Sequence, residues 1–224
     1  MYGFGLMTTN ITDQTSSSLR IIGLTGGIAM GKTLVSEYLA TTYKLPILDA
    51  DIYAREAVLP DSLVLQGMVE RYGSGVLLPD RSLNRQRLGE IIFSSPAERL
   101  WVEQCIHPYV RDRLVQAISN PPLNDSQQHP IVVMVVPLLF EARMTDLVTE
   151  TWVVICSEAQ QIERLISRDR LTLEQAQTRI NSQMEITKKK VQATVVLDNS
   201  STPEELYRQV DRHIAQPARA SGRK

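Results

Sequence analysis

Residues Gly26 to Thr33 read Gly-Gly-Ile-Ala-Met-Gly-Lys-Thr, the spacing of a loop that wraps phosphate. Its glycines let the backbone curl until successive N–H groups point inward at anionic oxygens, and the helix that follows presents its positive end to them. Lys32 then reaches the β and γ phosphates of a nucleoside triphosphate, and Thr33 offers a hydroxyl to Mg2+. Gly27, Ala29, Met30, Gly31 and Leu34 complete the nucleotide-binding set through their main chain, with the Met30 side chain turned away.

The second group is Asp49-Ala50-Asp51, at the end of a short apolar run. Phosphoryl transfer needs an acceptor oxygen held in line with the γ phosphate and a group to receive its proton, and a carboxylate beside the loop does both. Asp51 is the candidate base; its competing role is to cap a helix over Ile52 to Val58. Arg164, Arg168 and Arg179 either neutralise charge on the transferring group or form a solvated face paired with Glu163 and Asp169. A lone His such as His107, followed by Pro108, more often packs or caps than catalyses. The run Lys188 to Lys190 predicts exposed surface. Val132 to Val136 leads into Pro137 with no acid, so magnesium rests on Thr33, phosphate, water and Asp51.

The elements that position these groups are legible as five apolar runs: Ile21 to Thr25, Leu45 to Leu48, Ile131 to Val136, Trp152 to Cys156 and Thr194 to Leu197. They are continuous rather than alternating, as strands buried on both faces are, and helical patterns separate them, which predicts a parallel sheet between two helical layers. About eighty residues separate the second and third runs. They predict helices over Asp61 to Tyr72, Asn84 to Phe93 and Pro96 to Ser119, with Ser95-Pro96-Ala97-Glu98 as a start signal and Pro108 bending or dividing the last. Such an insertion suits a substrate-binding lobe. A loop from Asn120 to Pro130 returns to the sheet. Between the last two strands Ile162, Leu165 and Ile166 share a face, Thr172 to Gln175 resembles a capping box, and the segment suits a mobile lid.

Composition bounds the rest. The chain has 224 residues, 43% hydrophobic and 22% charged, with a formal net charge of -1. That balance gives no global attraction to nucleic acid or an acidic membrane, so anion binding must be local. No apolar run approaches the roughly 20 residues of a membrane span. Cys105 and Cys156, far apart and without metal-ligand spacing, point to a reducing, cytoplasmic setting. Residues 1–19 and 216–224 read as disordered tails without the pattern of a secretory signal.

Taken in order, these segments resemble the dephospho-coenzyme A kinase family from Arg20 to Ile214. The likeness rests on Leu24-Thr25-Gly26-Gly27-Ile28, Asp49-Ala50-Asp51-Ile52-Tyr53-Ala54-Arg55, Leu77-Leu78-Pro79-Asp80-Arg81-Ser82-Leu83 and His107-Pro108-Tyr109-Val110. It continues through Val136-Pro137-Leu138-Leu139-Phe140-Glu141, Arg168-Asp169 and Leu197-Asp198-Asn199. The resemblance implies an α/β three-layer P-loop fold with a parallel five-stranded sheet, a helical coenzyme A-binding insertion and a helical lid. In residues these are 20–54, 131–156 and 193–215 for the core, 55–130 for the insertion and 157–192 for the lid. It implies transfer of the ATP γ phosphate, with Mg2+, to the ribose 3′ hydroxyl of dephospho-coenzyme A. By the same similarity Asp51 is the base, Arg55 and His107 lie on the acceptor side, Arg168 is a lid contact and Asn199 approaches the adenine of ATP. Ala29 and Met30 depart from the usual small pair, and Leu34 stands where a hydroxyl residue is common. Two other readings compete: a kinase acting on nucleoside monophosphates, and a slowly hydrolysing nucleotide switch. Against the switch, the chain carries no recognisable guanine-specificity motif and no candidate switch glutamine.

Overall fold

A computed structural model of the chain describes residues 19–120, 123 and 130–216. Most of the expected tails and of the Asn120 to Pro130 loop lie outside them. Two tail residues are described: Leu19 packs on the core, and the Gln216 carbonyl accepts from Arg20 at 3.0 Å.

The chain runs β1 (Arg20–Gly26), α1 (Lys32–Thr42), β2 (Ile47–Asp49), α2 (Ala50–Glu56), α3 (Leu63–Tyr72), α4 (Arg85–Ser94), α5 (Pro96–Ser119) and β3 (Ile131–Val135). It continues through β4 (Glu150–Ile155), α6 (Glu158–Asp169), α7 (Leu173–Asn181), α8 (Ile186–Gln192), β5 (Val195–Asp198) and α9 (Pro203–Ile214). The five strands form one sheet in the order β2-β3-β1-β4-β5, every pair parallel. The sheet is buried on both faces, as continuous Val/Ile runs require. Ile22, Leu24, Val133 and Val135 point to one side with Val35 and Leu39 of α1 and Leu206 and Val210 of α9. Val132, Met134 and Val136 point to the other with Val110 and Leu114 of α5. Helices α3 to α5 have an apolar centre of their own, Val58, Leu65, Met68, Val76, Leu83, Leu88 and Val102, and Ile106 touches both it and the sheet core.

Two expectations meet prolines. Strand β2 begins at Ile47 rather than Leu45 because Pro46 has no N–H for the ladder; its carbonyl accepts from Val133 at 3.0 Å. Helix α5 runs through Pro108 without dividing. The lost N–H would have bonded the carbonyl of Gln104, and both residues are exposed, so solvent can take that carbonyl. The Leu77 to Leu83 motif is a tight turn: Leu77 bridges Leu83, and Asp80 accepts from the Ser82 amide and hydroxyl.

The far end of the sheet is tied by a buried ion pair. Arg20, 7% exposed, pairs with Glu150, 2% exposed, and Trp152 Nε1 donates to the same carboxylate at 3.0 Å. The Arg20 guanidinium also donates to the carbonyls of His213 and Ile214, taking oxygens that the end of α9 would otherwise leave orphaned. The catalytic candidates lie at the opposite, carboxyl edge of the strands, where ligands bind in open parallel sheets.

Candidate active site

The phosphate loop forms because glycines stand where a side chain would collide. A Cβ on Gly26 would sit 2.4 Å from the Val154 carbonyl oxygen; on Gly31, at φ +99°, it would sit 2.1 Å from Asn199 Nδ2. Ala29 also takes a left-handed conformation, φ 59°. Helices α2 to α7 and α9 each receive a side-chain cap, whereas α1 starts from Gly31 with none. Its first N–H groups are left for an anion. Lys32 Nζ lies inside the curl, donating to the carbonyls of Gly26 at 3.1 Å and Gly27 at 3.0 Å.

Asp51 stands across from that curl. The cap of α2 is Asp49, whose carboxylate accepts from the Asp51 amide at 2.8 Å. Asp51 is therefore released from capping and lines the same cavity, about 1040 Å³, as Lys32, Thr33, Arg164 and Arg168. Helix α5 contributes Arg99 and Glu103 to the wall, so the core, the insertion and the 157–192 helices enclose one space. Desolvation first, and the Asp49 carboxylate second, push the Asp51 carboxyl above the usual carboxylate pKa; Lys32 and Arg55 pull it back. Burial lowers Lys32 to about 8, helped by the Lys189 charge and opposed by Asp51.

The remaining candidates divide. Arg164 donates to the Asn199 carbonyl at 3.1 Å, and Arg168 pairs with Asp169 at 2.8 Å. Arg179 is off the cavity wall, bonded to Asp169 at 2.7 Å and lying over Phe93. Met30 is buried, as its size demands, and Leu34 packs against the sheet core. Asn199, expected near adenine, is 2% exposed behind the loop, and its amide is committed to the Met30 carbonyl at 2.9 Å. Arg55 is exposed one turn beyond Asp51. His107 lines a smaller cleft beside Asp51, and burial lowers its pKa, which keeps the imidazole neutral at pH 7.

Several contributors carry no clear sequence signal. Gln183 accepts from the Ile28 amide at 2.8 Å, and Gln161 donates to the Ile28 carbonyl at 2.9 Å, so the 157–192 segment grips the loop from both sides of one residue. Lys189, expected on the surface with its neighbours, is fully buried, 2.8 Å from Glu141 and 3.3 Å from the Pro137 carbonyl. Glu141, four residues beyond Pro137, is the acid that follows β3 and also accepts from the Met184 amide at 3.0 Å. Glutamines are common on helix surfaces and a lysine triplet looks solvated, so only the fold singles these residues out.

A sequence profile described as dephospho-CoA kinase matches residues 20–205. The dephospho-CoA kinase of Trichormus variabilis is 59% identical over 192 residues, covering 86% of this chain and 95% of that one. That of Synechococcus elongatus is 50% identical over 195 residues, covering 87% and 91%. Among solved structures, TT1252 from Thermus thermophilus superposes with a TM-score of 0.72 at 29% identity, covering 88% of this chain and 97% of that one. The dephospho-CoA kinase from Campylobacter jejuni, with a TM-score of 0.65 at 22% identity over 88% and 96%, shares the fold. Such identities, held across nearly the whole of the curated relatives, leave one assignment: the chain belongs to the dephospho-CoA kinase family.

Proposed function

We infer that the chain transfers the γ-phosphoryl group of ATP to the ribose 3′ hydroxyl of dephospho-coenzyme A, yielding ADP and coenzyme A, the last step of coenzyme A synthesis. The observation that carries this reading is the meeting of Lys32, Thr33, Asp51 and Arg168 on the wall of one cavity. The loop amides and Lys32 hold the triphosphate. The acceptor oxygen attacks the γ phosphorus, the bond to the β-γ bridging oxygen breaks, and the acceptor proton passes to Asp51. Arg164 and Arg168 offset the charge that spreads over the transferring oxygens. Residues 55–130 supply the acceptor lobe and residues 157–192 the lid, whose hold on Ile28 couples lid position to loop shape.

Magnesium fits the donors present: Thr33 and Asp51 are hard oxygen ligands on the cavity wall. Among the described residues no group of three or more His, Cys, Asp or Glu could cage a metal; phosphates and water would complete the shell. When bound, the ion would supply positive charge that offsets the charge of the phosphate oxygens.

Among the described residues no helix is long and apolar enough to cross a membrane. A cytoplasmic enzyme acting on small molecules, with neither nucleic acid nor membrane as partner, completes the proposal. Incubation with ATP and either dephospho-coenzyme A or nucleoside monophosphates tests it. ADP should accumulate in step with coenzyme A; phosphorylation of the monophosphates alone would reject the reading.

A further inference from the structure

Arg168, near the end of α6, reaches the cavity wall but is held from behind. Its Nε and Nη2 donate to the two oxygens of Asp169 at 2.8 and 3.1 Å, a side-on fork that fixes the plane of the guanidinium. That fork uses one edge of the group and leaves the other for an anion. From α7, ten residues on, Arg179 Nη1 donates to Asp169 Oδ2 at 2.7 Å. The Arg179 guanidinium in turn lies 5.8 Å from the centre of the Phe93 ring at the end of α4. Arg168 lines the cavity, whereas Asp169 and Arg179 do not. The row becomes more sheltered away from the cavity: the Arg168 side chain is 57% exposed, that of Asp169 21% and that of Arg179 33%. Hydrogen bonds from Arg168 first, and the Arg179 charge with them, hold the Asp169 carboxyl below the usual carboxylate range, so it is ionised at pH 7.

We propose that Asp169 and Arg179 are positioning residues, which together aim the free edge of the Arg168 guanidinium at the transferring phosphoryl group. The inference rests on the kinase reading above, which gives Arg168 its anion. A long, half-exposed arginine has many rotamers, and each one fixed in advance is reorganisation that the transfer step does not need. Asp169 selects the rotamer, and Arg179 holds Asp169 in place from a second helix. Without Arg179 the carboxylate keeps Arg168 as its partner but loses its anchor, and the pair can swing together away from the phosphate. Arg179 makes one bond through one nitrogen, which a lysine can copy. The fork of Arg168 is bidentate, which a lysine cannot copy.

The test is a double-mutant cycle on the full chain, with Tm confirming that each variant folds. It reads kcat and KM for transfer to dephospho-coenzyme A, and the affinity of a non-hydrolysable ATP analogue relative to ADP. Arg179→Leu should lower kcat by about tenfold to a hundredfold, with KM for dephospho-coenzyme A unchanged, and should reduce the affinity ratio. Asp169→Asn, which keeps the shape, should do the same, and Arg179→Lys should restore most of what Arg179→Leu loses. In an Arg168→Met background Arg179→Leu should cost less than about twofold more, because the group it acts through is gone. A purely structural role would lower kcat equally in both backgrounds. That result, undiminished kcat in both Arg179→Leu and Asp169→Asn, or an Arg179→Lys no better than Arg179→Leu overturns the proposal. A wild type that makes no coenzyme A, with affinity ratios that still follow this pattern, would reject the kinase reading and leave the positioning row standing.

Discussion

At the residue scale the site is organised by two displaced protonation equilibria. Lys32 falls from 10.5 to about 8 through burial and the neighbouring Lys189. Because its folded pKa is the lower one, the cost of holding it charged is full below about pH 8 and disappears as pH rises toward 10.5. Stability of the wild type should therefore rise across that window relative to that of Lys32→Met. Triphosphate raises the lysine's pKa again, so ATP binding near pH 8 should take up about half a proton. Calorimetry in buffers of different ionisation enthalpy measures that uptake, and it should vanish in Lys32→Met. The Asp51 shift has the opposite sense: a base must be deprotonated, and its pKa lies above the ordinary carboxylate value. Turnover should fall as pH is lowered through a limb displaced upward from pH 3.8, and Arg55→Ala, which removes a charge that pulls the pKa down, should move that limb higher still. A limb that stays put in Arg55→Ala would separate the two residues. Lys32, Thr33 and Asp51, singled out by type and spacing, line one cavity, and so does Arg168, which type and spacing left open between a phosphate contact and a solvated face. Position in the chain could not reveal that a loop carbonyl would take the Asn199 amide.

At the element scale, strands and caps were the most legible parts. Ser95 and Thr172 cap helices whose third residue they bond, as their sequence patterns indicated, and Ser157 does the same for α6 without having been singled out. Opaque to sequence were the contacts between elements far apart in the chain. The pair from α8 Lys189 to Glu141 crosses 48 positions and is hidden inside a lysine triplet. Breaking it would leave a mostly buried carboxylate alone, so Lys189→Met should cost about 3 kcal/mol, a fall in Tm of about 10 °C for a chain of this size. Replacing both partners, Lys189→Met with Glu141→Leu, should regain most of that loss, because an apolar pair of similar volume avoids the desolvation cost. Thermal unfolding of the wild type and the two variants checks the order. Lys189→Met with the wild-type Tm would show that the pair adds nothing, and a double variant no more stable than the single would show that the stranded carboxylate is not the source of the loss.

At the scale of the whole molecule, a parallel sheet collects the chemistry along one edge. Strand order β2-β3-β1-β4-β5 brings the tip of β1, which opens into the phosphate loop, near the tip of β2, which ends in the acidic pair, with β3 between them. Alternating apolar runs and helices made the layers legible, and the uneven spacing marked the insertion. The strand order was not legible, since pairing is decided by contacts that no local pattern encodes. Nor was the way α5 reaches back to wall both the phosphate cavity and the cleft beside Asp51. The central claim needs all of these parts at once: a triphosphate in the loop, an acceptor at the strand tip, and a carboxylate between them. Single-turnover transfer from ATP labelled at the γ phosphate, with dephospho-coenzyme A present, tests it most directly. Wild type should place the label on the ribose 3′ oxygen. Asp51→Asn should do so about a hundredfold to ten-thousandfold more slowly, with ATP affinity nearly intact. Label released to water instead of the acceptor, or transfer by Asp51→Asn at the wild-type rate, would contradict the account.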